Sequence, residues 1–269
     1  MEYKELTLRE IQESSFSILK DIDAVCKKLN IDYFVMYGTL IGAVRHEGFI
    51  PWDDDLDIMM PRDDYDKLIS YLNTNKIPNL ELFNYNKNDN YPYMISRISD
   101  SRYKIVVDNE DDYGIGTFID VYPLDYISDN YFFAKCKGRY FGWLSSLYFL
   151  STRKYCPQSS SVIKSYVKKG AFYCSKLIGK RTLKKLLLMR QRKETQYFAC
   201  TQWMTNDYER NIFHKDVISK RTFLNFEGLD VPVPKEYHKL LTDYYGDYMS
   251  FPPIELQKPH HLYKAYKIK

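Results

Sequence analysis

The chain lacks the features that would place it in several large protein classes. It has no run of roughly 18 uncharged apolar residues, the length a membrane-spanning helix needs, so a conventional spanning helix is not expected. Its first ten residues carry no apolar stretch, so a cleaved secretion signal is not expected either. Five cysteines (Cys26, Cys136, Cys156, Cys174 and Cys200) are scattered, odd in number and without a CxxC pair. That excludes a disulfide framework or zinc knuckle as the first reading and favours reduced cytosolic thiols. Eleven glycines and eleven prolines are too few for a collagen-like or low-complexity chain. No internal repeat is visible. What is present is 269 residues, 45% hydrophobic and 16% aromatic, with 26 tyrosines. Such a chain can bury a sizeable core, as one large domain or two small ones.

Charge is distributed unevenly. Residues 130–200 hold sixteen Lys or Arg and one acid, Glu194, a formal +15, whereas the remainder sums to −11. A segment of this kind expects an anionic partner, with a solvated basic face as the plainer alternative.

Thr7 and Glu10 form a T-x-x-E capping box, and Leu8, Ile11, Ser15, Ile18, Ile22, Val25 and Leu29 recur at steps of three and four. This predicts an amphipathic helix over 7–29. A short strand is expected over 32–36, a short helix over 40–45 and a strand over 56–60 stopped by Pro61. Asp63 and Asp64 are expected to cap and complement the helix that follows. Strand-like pieces occupy 80–83, 93–98, 103–107 and 117–121, the basic segment reads as helical, and Pro-bounded strands near 226–231 precede a helix from Lys235 to about Tyr245. The fold class is α+β, with a small mixed sheet flanked by helices and a basic helical insertion. The expected division is a core over 1–127, the insertion over 128–205 and a C-terminal segment over 206–269 that packs on the core.

The most informative stretch runs from Tyr37 to Met60. Asp55 and Asp57 lie two apart in an apolar run, so on a strand they share a face. Paired carboxylates repel, and a divalent cation removes that penalty; hard oxygen ligands favour Mg²⁺ or Mn²⁺. An EF-hand loop fails at Ile58, where Gly is needed, and at Asp64, where Glu is needed. The D-x-D of a nucleotide-sugar glycosyltransferase would follow a nucleotide-binding half that this chain does not have. A nucleotidyltransferase-type site fits better. There a strand leads into Gly-Ser/Thr at a helix start, D-x-D lies on the next strand and a third carboxylate comes from a later one. Gly38 and Thr39 supply the first part, with Gly admitting a phosphate to the helix amides. Asp120, within Phe118-Ile-Asp-Val-Tyr122, supplies the last.

The run from Gly38 through Arg45-His46-Glu47-Gly48 and Pro51-Trp52-Asp53-Asp54-Asp55 to Asp57 closely resembles the signature of the LicD family of phosphocholine transferases and fukutin-related proteins. Phe226–Lys235, Tyr244–Met249 and Pro252-Pro253 resemble its C-terminal block. The resemblance covers roughly residues 5–125 and 210–255. The Cys/His zinc cluster of some fukutin-related members has no counterpart here. The resemblance implies a nucleotidyltransferase-like core and transfer of phosphocholine from CDP-choline to a sugar hydroxyl of a lipid-linked teichoic acid or other cell-surface glycan, with release of CMP. Ribitol phosphate or glycerol phosphate are alternative transferred groups. A nucleotidyltransferase acting on RNA, a protein or an antibiotic is a further alternative, but no RNA-binding motif is visible and nucleic acid is not an expected partner.

On this reading Asp55, Asp57 and Asp120 hold the metal, and Asp120 is a shared ligand or the base. Asp53 assists as an outer ligand. Arg45 and His46 reach phosphate oxygens, with a helix C-cap as the alternative for His46. Arg97 contacts the donor phosphates or makes a surface salt bridge. Trp52 stacks on cytosine or choline, or is a buried hinge. Tyr93 and Tyr122 are candidates for a choline cage, and His260-His261 are expected to be ordinary surface residues. The basic segment is expected to dock on an anionic leaflet, so the protein is placed in the cytoplasm on the inner face of the membrane.

Overall fold

The computed structural model describes residues 4–88, 91–158, 161–189, 193–204, 207–259 and 263–268. His260 and His261 lie outside them. A two-residue strand β1 (Lys4–Glu5) leads into α1 (Leu8–Leu29). The capping box forms as expected: the amide of Glu10 donates to the Thr7 hydroxyl, and the Thr7 amide donates to the Glu10 carboxylate at 2.8 Å. Ile18, Leu19 and Ile22 on the inner face are fully buried. Polar Ser14 and Ser15 on the same face hydrogen-bond Thr117 and the carbonyl of Phe118, which fixes the helix across the sheet.

The chain then alternates short strands and helices: β2 (Phe34–Val35), α2 (Tyr37–Arg45), β3 (Asp57–Pro61) and α3 (Arg62–Thr74). The helix expected from Leu40 begins three residues earlier, so Gly38 and Thr39 lie inside α2 rather than before it. Asp63 and Asp64 do stand in the first turn of α3, but neither caps it; Pro61 is the cap residue and no side chain bonds there. Strands β4 (Leu80–Phe83), β5 (Ser96–Asp100), β6 (Tyr103–Val107) and β7 (Thr117–Ser128) follow. The last runs seven residues beyond the expected 117–121.

Helices α4 (Tyr131–Thr152), α5 (Val162–Ile178) and α6 (Lys180–Leu187) make up most of the basic segment. It ends in β8 (Tyr197–Ala199), and then come β9 (Ile212–His214) and α7 (Lys215–Ser219). The Pro-bounded strands are the two arms of a hairpin, β10 (Arg221–Phe226) and β11 (Leu229–Pro234), turning at Glu227 and Gly228. Helix α8 (Tyr237–Tyr245) stops at Gly246, as expected, and β12 (Tyr263–Lys267) closes the described chain.

The architecture is α+β. A seven-stranded mixed sheet has the order β2-β3-β7-β5-β4, with β8 on the far half of β7 and β9 beyond it. Among the described residues β3 and β7 are the parallel pair and the other pairings are antiparallel. A second sheet, β1-β12-β6, joins the two ends of the chain. The main core lies between α1 and the sheet and includes Leu40, Ile58, Met59, Ile119 and Val121, together with Phe226, Val231 and Val233 of the hairpin. A separate apolar cluster packs α4 and α6 against Ile127, Ala199 and Ile212. Arg62 at the start of α3 makes a buried, two-pronged ion pair with Asp125 of β7 at 2.8 and 2.9 Å, and Gln202 and Thr201 complete the network.

Candidate active site

The parallel pairing of β3 and β7 builds the site. Its register sets Asp57 opposite Asp120, so the two carboxylates that the sequence singled out are neighbours across adjacent strands. The Asp120 amide supports that register by donating to the Leu56 carbonyl at 2.9 Å, and on the other side of β3 the Met36 amide donates to the Asp57 carbonyl at 3.1 Å. Thr39 contributes from α2, where its hydroxyl accepts from the Asp57 amide at 2.9 Å. Both Asp57 and Asp120 are buried, at 8% and 7% exposure.

Asp55 is placed differently from expectation. Strand β3 begins only at Asp57, and Asp55 lies in irregular backbone after a turn in which the Asp53 amide donates to Ile50. The two-residue alternation therefore does not relate Asp55 to Asp57. Instead Asp53, Asp54 and Asp55 come together, each offering a carboxylate oxygen within 4.8 Å of the other two. Gln12 of α1 holds this loop by donating to the Asp53 carbonyl at 2.8 Å.

Gly38 is explained by the same loop. A Cβ at Gly38 would lie 2.4 Å from Oδ2 of Asp53, so any larger residue collides with that carboxylate. The anion that Gly38 admits to the first turn of α2 is thus one of the protein's own, in the place where helix amides attract negative charge. Gly42, one turn on, allows the Gly48 carbonyl to approach where a Cβ would lie at 2.3 Å.

Arg97 is buried rather than on the surface. It faces Asp120 across β5 and β7, with Nε to Oδ1 at 2.7 Å and a longer second contact at 3.4 Å. The rings of Tyr93 and Phe118 sandwich its guanidinium at 3.8 and 3.9 Å. Burial is the largest influence and works against its charge, but the Asp120 carboxylate together with Tyr93, Tyr113 and Tyr91 outweighs it and holds its pKa well above the ordinary value. Tyr93 is therefore a platform for Arg97, and its hydroxyl donates to Glu110.

Arg45 turns to the C-terminal block. It donates to the carbonyls of Tyr248 and Ser250 at 2.8 and 3.1 Å and lies 4.8 Å from the Phe251 ring. His46 is the C-cap residue of α2, in edge contact with Trp52 and Phe251. Burial, aided by the Arg45 charge, lowers its pKa. Trp52 is half-buried in that aromatic group.

The structure adds residues that sequence reasoning passed over. Tyr37, at the start of α2, has a left-handed backbone with φ of 54°. Such strain in a non-glycine residue costs roughly 1–3 kcal/mol and collects at functional sites. Its ring meets Tyr122 and Tyr244 edge-on at 5.4 and 5.8 Å, and its hydroxyl donates to Asn211 at 2.8 Å. Burial, then Asp57 and Asp120, push the Tyr122 phenol well up. Tyr244 also borders a cleft of about 450 Å³ lined by Arg210, His214, Lys239 and Asp243. Tyr263 of β12 reaches the carbonyl of Asp54 at 3.4 Å. The repeated Tyr of Tyr244-Tyr245 is the one sequence signal that pointed here, through the C-terminal block of the resemblance.

Residues 30–141 match the family model described as LicD/FKTN/FKRP, nucleotidyltransferase domain. A lipopolysaccharide cholinephosphotransferase LicD of Haemophilus influenzae is 31% identical over 283 aligned positions, covering 98% of this chain and 99% of the relative. Uncharacterised proteins of Rickettsia prowazekii and Rickettsia typhi are each 49% identical over 51 residues, 19% of this chain and 19% and 16% of their own. With the signature gathered around one pair of parallel strands and the relationship running the length of the chain, the protein belongs to the LicD family.

Proposed function

We propose that the protein transfers phosphocholine from CDP-choline to a sugar hydroxyl of a lipid-linked teichoic acid or another cell-surface glycan precursor, releasing CMP. The observation that carries this reading is the near full-length relationship with a lipopolysaccharide cholinephosphotransferase. The organisation that goes with it is a nucleotidyltransferase-like core over 1–127, a basic helical insertion over 128–205 and a C-terminal segment over 206–269. The enzyme would work in the cytoplasm, on the inner face of the membrane.

The donor set fits a hard divalent cation: Asp53, Asp54 and Asp55 offer converging carboxylate oxygens, with Asp57 and Asp120 paired beside them in the sheet. We assign Asp55, Asp57 and Asp120 as metal-holding residues, with Asp53 in support. Bound Mg²⁺ or Mn²⁺ supplies neutralisation of charge on the transferred phosphoryl group and on departing CMP. In the reaction the sugar oxygen bonds to the choline-bearing phosphorus while the anhydride bond to CMP breaks, and the hydroxyl proton passes to solvent or to the phosphate of the released CMP. Both oxygens of Asp120 already meet Arg97, which favours a holding role over that of proton acceptor. Arg97 is a positioning residue on this view. Thr39 keeps Asp57 in place through its backbone, and Tyr37, Tyr122 and Tyr244 wall the approach.

The test is CMP release by the purified protein with Mg²⁺ or Mn²⁺, glycan acceptor, and CDP-choline, CDP-ribitol or CDP-glycerol in parallel. Release is expected with CDP-choline and is lost on chelation. Asp57→Ala should lower it by about 10³-fold, roughly 4 kcal/mol of transition-state stabilisation. Release with CDP-ribitol or CDP-glycerol alone would reassign the transferred group. A folded protein that releases CMP from none of the three, with acceptor present, would overturn the reading.

A further inference from the structure

Helix α5 is amphipathic in the reverse sense of an ordinary surface helix. Ile163, Tyr166, Val167, Gly170, Tyr173 and Leu177 recur at steps of three and four and so share one face. That face points outward: the five large side chains are 66% to 86% exposed, and a Cβ built on Gly170 meets nothing within 4 Å. The opposite face is the packed one, where Phe172 and Ser175 are buried. Lys164 flanks the apolar stripe on one side and Lys169 on the other, both exposed.

The stripe continues onto α4. Trp143, 66% exposed, lines a groove of about 880 Å³ together with Leu147, Ile163, Val167 and Ala171. Phe132, Phe133 and Tyr140 extend the exposed aromatic surface along the same helix. Neither α4, α5 nor α6 contains a single Asp or Glu.

We infer that this face is a bilayer-docking surface, in which α5 lies in the plane of an anionic leaflet with its apolar stripe among the acyl chains. A contiguous apolar patch of this extent needs a cover, and the charge around it selects which one. A second copy of the chain would bring two strongly basic faces together. Anionic lipid satisfies both features, because apolar side chains enter below the headgroups while lysines at the stripe's edges meet the phosphates. At 17 residues α5 is about 25 Å long, enough to lie along the surface. No helix among the described residues is long and apolar enough to cross a membrane.

The surface is also held in a defined relation to the site. Lys176 of α5 donates to the carbonyls of Ser151 and Arg153 at 2.8 and 2.7 Å. Arg153 pairs with Glu110 and lies 5.8 Å from the ring of Tyr93, the platform under Arg97 and hence Asp120. Docking through α5 would thus hold the carboxylates at a set height above the leaflet. The inference rests on the proposed reading for why a lipid-borne acceptor should be met there, but vesicle binding is measured without donor or acceptor.

The experiment is flotation of the full chain with vesicles of phosphatidylcholine, with and without phosphatidylglycerol, at low and high salt. Binding is expected only with phosphatidylglycerol and should fall as salt rises. Emission from Trp143 should shift to the blue on binding, and Trp143→Phe identifies its share. Val167→Glu with Leu177→Glu should weaken binding at least about tenfold. Lys164→Glu with Lys169→Glu should also weaken it, and more at low salt than at high. All four side chains are outward, so thermal melts should match the wild type. Failure of the wild type to bind, equal binding to both vesicle types, or unchanged binding by the Val167/Leu177 variant would overturn the inference. So would a dimer in sedimentation that this variant turns into a monomer. A protein that releases CMP with a soluble glycan but ignores vesicles refutes only the docking; one that binds vesicles but releases no CMP refutes only the transferase reading.

Discussion

The carboxylate site and the basic helical segment treat charge in opposite ways. Around β3 and β7 the charged groups are buried and individually engaged: Arg97 on Asp120, Arg62 on Asp125, Asp53 over the first turn of α2. In α5 the charges are exposed and the unusual feature is apolar area left in water. In the first region each charge has a fixed partner, so position is the product of the fold. In the second the charges are a collective property, with the summed field mattering more than any one side chain. The same substitution type should therefore have very different consequences in the two places.

The sharpest contrast comes from Arg97→Ala. It leaves the Asp120 carboxylate buried without its guanidinium, which should cost about 3–5 kcal/mol in urea unfolding. Little change would mean that Asp120 finds another partner. Gly38→Ala comes next. The added methyl must displace the Asp53 carboxylate, so a loss of about 1–3 kcal/mol is expected. CMP release should fall with it, and full retention of both would show that the Asp53–Asp55 loop is adaptable. His46 offers a smaller effect with a defined sign. Its folded pKa lies below 6.5, first from burial and then from Arg45. Below 6.5 the unfolded chain thus binds more protons than the folded one, and stability falls as pH drops toward the folded pKa. His46→Asn should remove that part of the acid slope, while loss of the Arg45 hydrogen bond and of the contacts with Trp52 and Phe251 lowers stability at every pH. Smallest of all is Lys169→Glu in α5, expected within about 0.5 kcal/mol of the wild type in thermal unfolding although it reverses a charge. A large loss there would mean that the basic face has specific partners after all.

Much of the local structure was legible in the sequence because local rules govern it. The Thr7–Glu10 box starts α1, Pro61 ends β3 and Gly246 ends α8 through interactions spanning a few residues. The pairing of Asp57 with Asp120 was anticipated from order along the chain, since each stands among apolar strand residues. The error at Asp55 came from extending a strand's alternation into a loop whose turn at Ile50–Asp53 breaks it. At Arg97 the strand was expected and a salt bridge was one of two readings, but a surface one; its burial between the rings of Tyr93 and Phe118 depends on two other segments.

By itself the sequence determined the amphipathic helix α1, the order of the signature's elements, the glycine that only a close approach could require and the large charge asymmetry of residues 130–200. These follow from side-chain period, capping and composition, each carried by neighbouring residues. Tertiary structure alone decided which anion lies at Gly38, which carboxylate Arg97 grips, that Arg45 reaches Tyr248 across 203 residues, and that the apolar stripe of α5 points outward rather than in. Periodicity shows that a helix has an apolar face but not what that face meets. That depends on contacts between segments far apart in the chain, which form only when the whole sheet has found its register.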